Sequence, residues 1–109
     1  MQDNEQYDIL NITVSQADGQ TLISLAGELV LSSAPLLLGR MHEAIDAGAS
    51  KVVCDLKDLT YMDSTGLNVF LMRHKRMGAA DGTLIIASPR PNVRRVFEVT
   101  GVDSYLNLE

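Results

Sequence analysis

Cysteine is almost missing from this chain: of 109 residues only Cys54 carries a thiol. No intramolecular disulfide can form, and no Cys/His spacing suited to a metal centre occurs. Within the short apolar run Val52-Val53-Cys54 the thiol reads as a small core hydrophobe. Positive charge is also scarce. Nine Lys and Arg face fourteen Asp and Glu, a net charge of −5, whereas a nucleic-acid binder shows a basic patch or stripe. No apolar run approaches the roughly 18 residues that a membrane-spanning helix needs, and the first residues lack a basic-then-apolar leader pattern. A cytosolic protein is expected, with neither nucleic acid nor membrane as a partner.

The usual marks of catalysis are missing too. There is no glycine-rich phosphate loop. A hydrolase elbow would need glycine two residues before Ser64, and Met62 stands there. The two histidines, His42 and His74, fall on different predicted helices with no acid arranged around them. The sequence therefore offers no catalytic residue, no metal ligand and no cofactor site.

What is present is a single domain of ordinary globular composition, 46% hydrophobic and 21% charged. Residues 1–8 are polar and aperiodic and are expected to be loosely ordered. The domain proper is expected over 9–109. Ile9 to Ser15 alternates apolar with polar and predicts a half-buried strand. Asp18-Gly19 is a favoured hairpin dipeptide, and Thr21 to Gly27 should return antiparallel. Gly27 to Leu31 then reads as a connecting loop. Ser32-Ser33-Ala34-Pro35 supplies a hydroxyl cap and an early proline, the opening of a helix that should stop at Gly48. Its core stripe is Leu37, Met41, Ala44 and Ile45, widened by Leu38.

Lys51 to Leu56 predicts a buried strand, and Leu67, Phe70 and Leu71 begin a second helix. The basic turn Arg73-His74-Lys75-Arg76 followed by Gly78 reads as its end. Thr83 to Ala87 is another buried strand. A third helix should carry Val93, Val96 and Phe97 inward and end at Gly101, and Tyr105 to Leu108 closes the chain as a strand. The order β-β-α-β-α-β-α-β implies an α/β domain. Its mixed sheet has an antiparallel N-terminal hairpin, parallel strands beyond it, and helices as cover.

The second strand–helix junction carries the most information. Asp63-Ser64-Thr65-Gly66 lies where free backbone N–H groups accept a side-chain oxygen and favour negative charge. On spacing alone, Ser64 is a cap before it is anything else. Asp63 could cap the helix itself, and Gly66 would allow close approach of another chain. Arg90, Arg94 and Arg95 form a small basic cluster, either a solvated helix face or an anion site.

The same junction, Met62-Asp63-Ser64-Thr65-Gly66-Leu67, closely resembles the signature of the anti-sigma-factor antagonist branch of the STAS family. The resemblance extends to Gly27-Glu28-Leu29 upstream and to Val93 through Val102 downstream. It implies a single STAS domain with Ser64 as phosphoacceptor. It also implies a partner surface drawn from Glu28, Leu29, Met62, Asp63, Thr65, Gly66 and Leu67. The implied partners are an anti-sigma factor with serine-kinase activity and a phosphoserine phosphatase; the kinase brings ATP and magnesium, and this chain needs no cofactor. One departure stands out. Where the family usually has Gly-Glu-Leu-Asp, Val30 replaces the aspartate, leaving Leu29, Val30 and Leu31 as an apolar patch. That substitution favours a second implication of the resemblance. The domain would then be a non-switching STAS module of a larger signalling or transporter-associated complex, with Ser64 unused.

Overall fold

The computed structural model describes residues 9–109, so the expectation for the first eight lies outside the described residues. Strand β1 (Leu10–Ala17) turns at Asp18-Gly19 into β2 (Gln20–Leu29). Both turn residues have positive φ, 56° and 78°, the geometry of the tight turn that Asp-Gly favours. Then follow α1 (Ala34–Asp46), β3 (Lys51–Met62), α2 (Ser64–Ala79), β4 (Thr83–Ala87), α3 (Pro91–Val99), a single 3₁₀ turn over Val102–Ser104, and β5 (Asn107–Leu108). The five strands lie in sequence order, with β1 antiparallel to β2 and every later pair parallel. The predicted element order and sheet type hold throughout.

A sheet in sequence order with right-handed crossovers places all its helices on one face. Burial follows that rule. Ile23 and Leu25 of β2, Val52, Cys54 and Leu56 of β3, and Leu84 and Ile86 of β4 are sealed beneath the helices. Their alternates Leu22, Ser24, Ala26, Val53 and Asp55 stay half-exposed on the open face. Leu37, Met41 and Ala44 fill the α1 side of the core as the helical spacing predicts, with Ile45 and Leu38 packed at its margin. Phe70 of α2 meets Phe97 of α3 at 6.0 Å between ring centres. Burial of Cys54 pushes its thiol pKa up to about 12, because an anion there would have no solvent.

Several boundaries differ from the expectation, each for a local reason. Strand β2 runs on through Gly27-Glu28-Leu29, which is therefore not a loop, and β3 runs through Met62 rather than stopping at Leu56. Two register shifts against β2, between Ser24 and Ala26 and between Gly27 and Glu28, let β3 carry surplus residues. Such bulges break the alternation that marks a strand in sequence. Helix α2 passes through Gly78. The left-handed residue after it is Asp81, φ 60°, with the N–H of Gly82 closing on the Met77 carbonyl. Tyr105 is not in the last strand. It is exposed and packs edge-on against His74, with ring centres 5.1 Å apart, while Leu106 turns into the core. Among the described residues no helix is long and apolar enough to cross a membrane.

Candidate functional site

The last register pair between β2 and β3 is Leu29 with Met62, and both side chains are fully packed. Beyond them β3 gives way at once to α2, and β2 leads through residues 30–33 into α1, so both helices start from the carboxyl ends of parallel strands. The N–H of Asp63 still donates to the Leu29 carbonyl (3.1 Å), holding the two exits together.

Asp63 is the N-cap of α2. Its Oδ1 accepts from the N–H groups of Thr65 (2.9 Å) and Gly66 (3.1 Å). Its Oδ2 accepts from the N–H of Leu31 (3.2 Å) in the neighbouring loop. One carboxylate thus satisfies the helix start and pins the β2–α1 connection to it. With the N–H groups so occupied, the Ser64 hydroxyl is not needed as a cap. The residue is exposed at the first position of the helix, and none of the side-chain hydrogen bonds among the described residues uses its oxygen.

The β2–α1 connection is built on another serine. Ser33 precedes α1 but does not cap it. Its buried Oγ accepts from the N–H of Val30 (2.9 Å) and donates to the Glu28 carbonyl (2.8 Å). The Val30 carbonyl in turn accepts from the N–H groups of Ser33 and Ala34. Val30, where the family pattern has aspartate, closes this turn through its main chain.

The structure divides the sequence-named residues into two sets. Glu28 and Ser64 are exposed, and Asp63 and Thr65 are half-buried. Leu29, Met62, Gly66 and Leu67 are buried, so they shape the junction from beneath and present no side chain to a partner. At Gly66 the structure shows a close approach within the chain itself. A Cβ there would lie 2.7 Å from Leu29 Cγ and 2.8 Å from Met62 Cγ, so the close approach is internal, helix onto strand. The expected apolar patch also splits, since Leu29 is sealed, Val30 half-buried and Leu31 72% exposed. Sequence reading missed Leu36 and Tyr61, both about half exposed, and Ser33 as a loop tie. No period marks an apolar residue that faces outward, so only the folded chain reveals the first two.

The other candidates lie elsewhere. Arg90 Nε donates to the Lys57 carbonyl (2.8 Å), and Asn92 Nδ2 to that of Thr60 (2.8 Å), fastening the start of α3 to β3. Arg94 is half-buried and Arg95 exposed. His42 pairs with Asp46 at 3.1 Å along α1, and His74 faces Tyr105.

Three helices over one face of this mixed sheet, with a capped Asp-Ser-Thr-Gly junction at its strand ends, define a STAS-type domain. The STAS domain model matches residues 11–109, and the chain belongs to that family. It is 32% identical, over 91% of its length and 90% of the relative's, to an anti-sigma-B factor antagonist of Bacillus subtilis. The solved anti-sigma factor antagonist SpoIIAA in its unphosphorylated form superposes with a TM-score of 0.78 at 26% identity, covering 91% of this chain and 88% of that one. SpoIIAA of Bacillus in its phosphorylated form gives 0.72 at 25% identity, with 91% of each chain covered.

Proposed function

We propose that this chain is an anti-sigma factor antagonist. It binds an anti-sigma factor that is also a serine kinase, frees the sigma factor, and is switched off by phosphorylation of Ser64. The chain is the substrate of that step and catalyses nothing itself; ATP and magnesium come with the kinase. A phosphoserine phosphatase would reset it, in the cytoplasm where sigma factors act. The observation that carries this reading is the division of labour at the α2 start, where Asp63 caps the helix and leaves the exposed Ser64 without a side-chain hydrogen bond among the described residues. Relatives named for antagonism of anti-sigma factors, one of them solved with and without phosphate, support it.

The physics suits a switch without a change of fold. A phosphate adds about 1.5 to 2 negative charges, which a helix N-terminus tolerates. At a contact surface the same charge beside Asp63 repels acidic groups and must be desolvated. Exposed apolar side chains near this junction, Leu31 among them, would supply the apolar part of the contact.

Titrating a purified anti-sigma kinase of the same organism with wild type, Ser64→Ala and Ser64→Asp tests the reading. Mass spectrometry should show one added phosphate on wild type in the presence of kinase, ATP and magnesium, and none on Ser64→Ala. Ser64→Ala should bind like wild type, and Ser64→Asp at least tenfold more weakly. If Ser64→Asp binds as tightly as wild type, the chain is instead a non-switching STAS module, the reading that Val30 favours.

A further inference from the structure

The two edges of the sheet are unlike. At one end β5 contributes only two residues. At the other, β1 is eight residues long, pairs with β2 without a register shift, and reads Leu-Asn-Ile-Thr-Val-Ser-Gln-Ala. Natural sheets protect a long edge with charge, proline, a bulge or a covering segment. Strand β1 has no charged residue, no proline and no bulge, although the chain as a whole carries −5. Among the described residues nothing pairs with its outer side.

Which backbone groups face outward follows from the ladder. The N–H of Glu28 donates to the Ile9 carbonyl (2.7 Å), so the odd-numbered residues of β1 bond to β2. By alternation the N–H and C=O groups of Leu10, Ile12, Val14 and Gln16 point away from the sheet. Their side chains lie on the helix-bearing face. Val14 is 39% exposed there despite its apolar character.

We propose that β1 pairs antiparallel with β1 of a second copy of this chain about a two-fold axis at Thr13, making one sheet continuous through both. Directly opposed residues must share a face, so the register numbers sum to an even value. The sum that uses all four outward residues pairs Leu10 with Gln16 and Ile12 with Val14, each twice. That gives about eight N–H···O bonds, since each hydrogen-bonded pair exchanges two. Ile12 then covers the exposed Val14 of the other copy, Thr13 meets Thr13, and Asn11 meets Ser15, pairings that stabilise a sheet. No like charges oppose, which is why the occupant argued for is this chain itself. Leu10 pairs with Gly27 near the Ser64 end of the sheet, whereas Ala17 pairs with Gln20 at the far end. The two Ser64 loops therefore sit at opposite ends of the pair, both open. The proposal does not depend on the function assigned to Ser64.

Light scattering of the full chain across a concentration series should show the mass rising from one copy to two. Thr13→Lys should shift that midpoint at least tenfold upward without changing the thermal melt at concentrations where wild type is a single copy, because Thr13 is exposed and two ammonium groups would meet on the axis. A cysteine test fixes the register. Non-hydrogen-bonded pairs bring Cα atoms to about 4.5 Å, within disulfide range, so Thr13→Cys should cross-link to itself on mild oxidation. Ser15→Cys alone should not, but mixed with Asn11→Cys it should. A mass fixed at one copy without cross-linking overturns the proposal. So does a dimer indifferent to Thr13→Lys. A monomer that dimerises only after removal of residues 1–8 also overturns it and assigns the edge to the chain's own first residues.

Discussion

Two helices in this molecule begin beside a serine, and the two serines do opposite things. Ser33, before α1, is 1% exposed and spends its hydroxyl on the main chain of Glu28 and Val30. Ser64, at the start of α2, is exposed, and no hydrogen bond among the described residues uses its hydroxyl. Both read in sequence as hydroxyl caps, and neither is one. The difference lies in the neighbour. Asp63 brings a carboxylate with two oxygens, enough for the helix start and for Leu31 as well, and so releases the hydroxyl that follows it. Before α1 no such acid is present, and the serine is consumed by the loop. A hydroxyl left free at a helix start thus needs another residue to do the capping.

The contrast can be broken from several directions. The largest effect is expected beneath it. Gly66→Val forces a branched side chain onto Leu29 and Met62 and should cost about 3 kcal/mol, the upper end of overpacking penalties, read as a lower denaturation midpoint. Ser33→Ala should follow, at about 2 kcal/mol, because the part-buried Val30 N–H and Glu28 carbonyl both lose their partner. Asp63→Ala should cost about 1 kcal/mol, the usual value of a lost cap, with the added sign that amide exchange at Leu31 speeds up together with that at Thr65. Ser64→Ala should change stability by less than about 0.5 kcal/mol, as an exposed substitution without a bond to lose. If Ser33→Ala and Ser64→Ala melt alike, the contrast between the two serines fails.

Much of this was legible before folding. Strand β4 and the α1 stripe declare themselves by period, the first hairpin by Asp-Gly, and the strand–helix junction at Asp63 by its motif. What escaped did so because it is tertiary. The continuation of β3 past Leu56 depends on bulges against β2, and bulges erase the very alternation by which strands are read. The inward role of Gly66 depends on where Leu29 ends its strand, a fact set by register rather than by composition. Ser33 was assigned the commonest job for its type, whereas its burial comes from a turn that only the paired strands create. Leu36 and Tyr61 were invisible for the reverse reason, since an apolar residue in sequence is presumed to be inside.

Cys54 lies in the middle strand, sealed, and protonated well beyond neutral pH. A thiol reagent needs the thiolate and access to it, and the folded domain denies both. Alkylation must then wait for the strand to open, so its rate is a stopwatch for excursions from the native state. Any species that binds only the folded form slows that stopwatch by the factor 1 + [L]/Kd. A single sulfur placed for packing can therefore weigh any unlabelled partner that binds the folded domain, with no probe added to the surface where they meet.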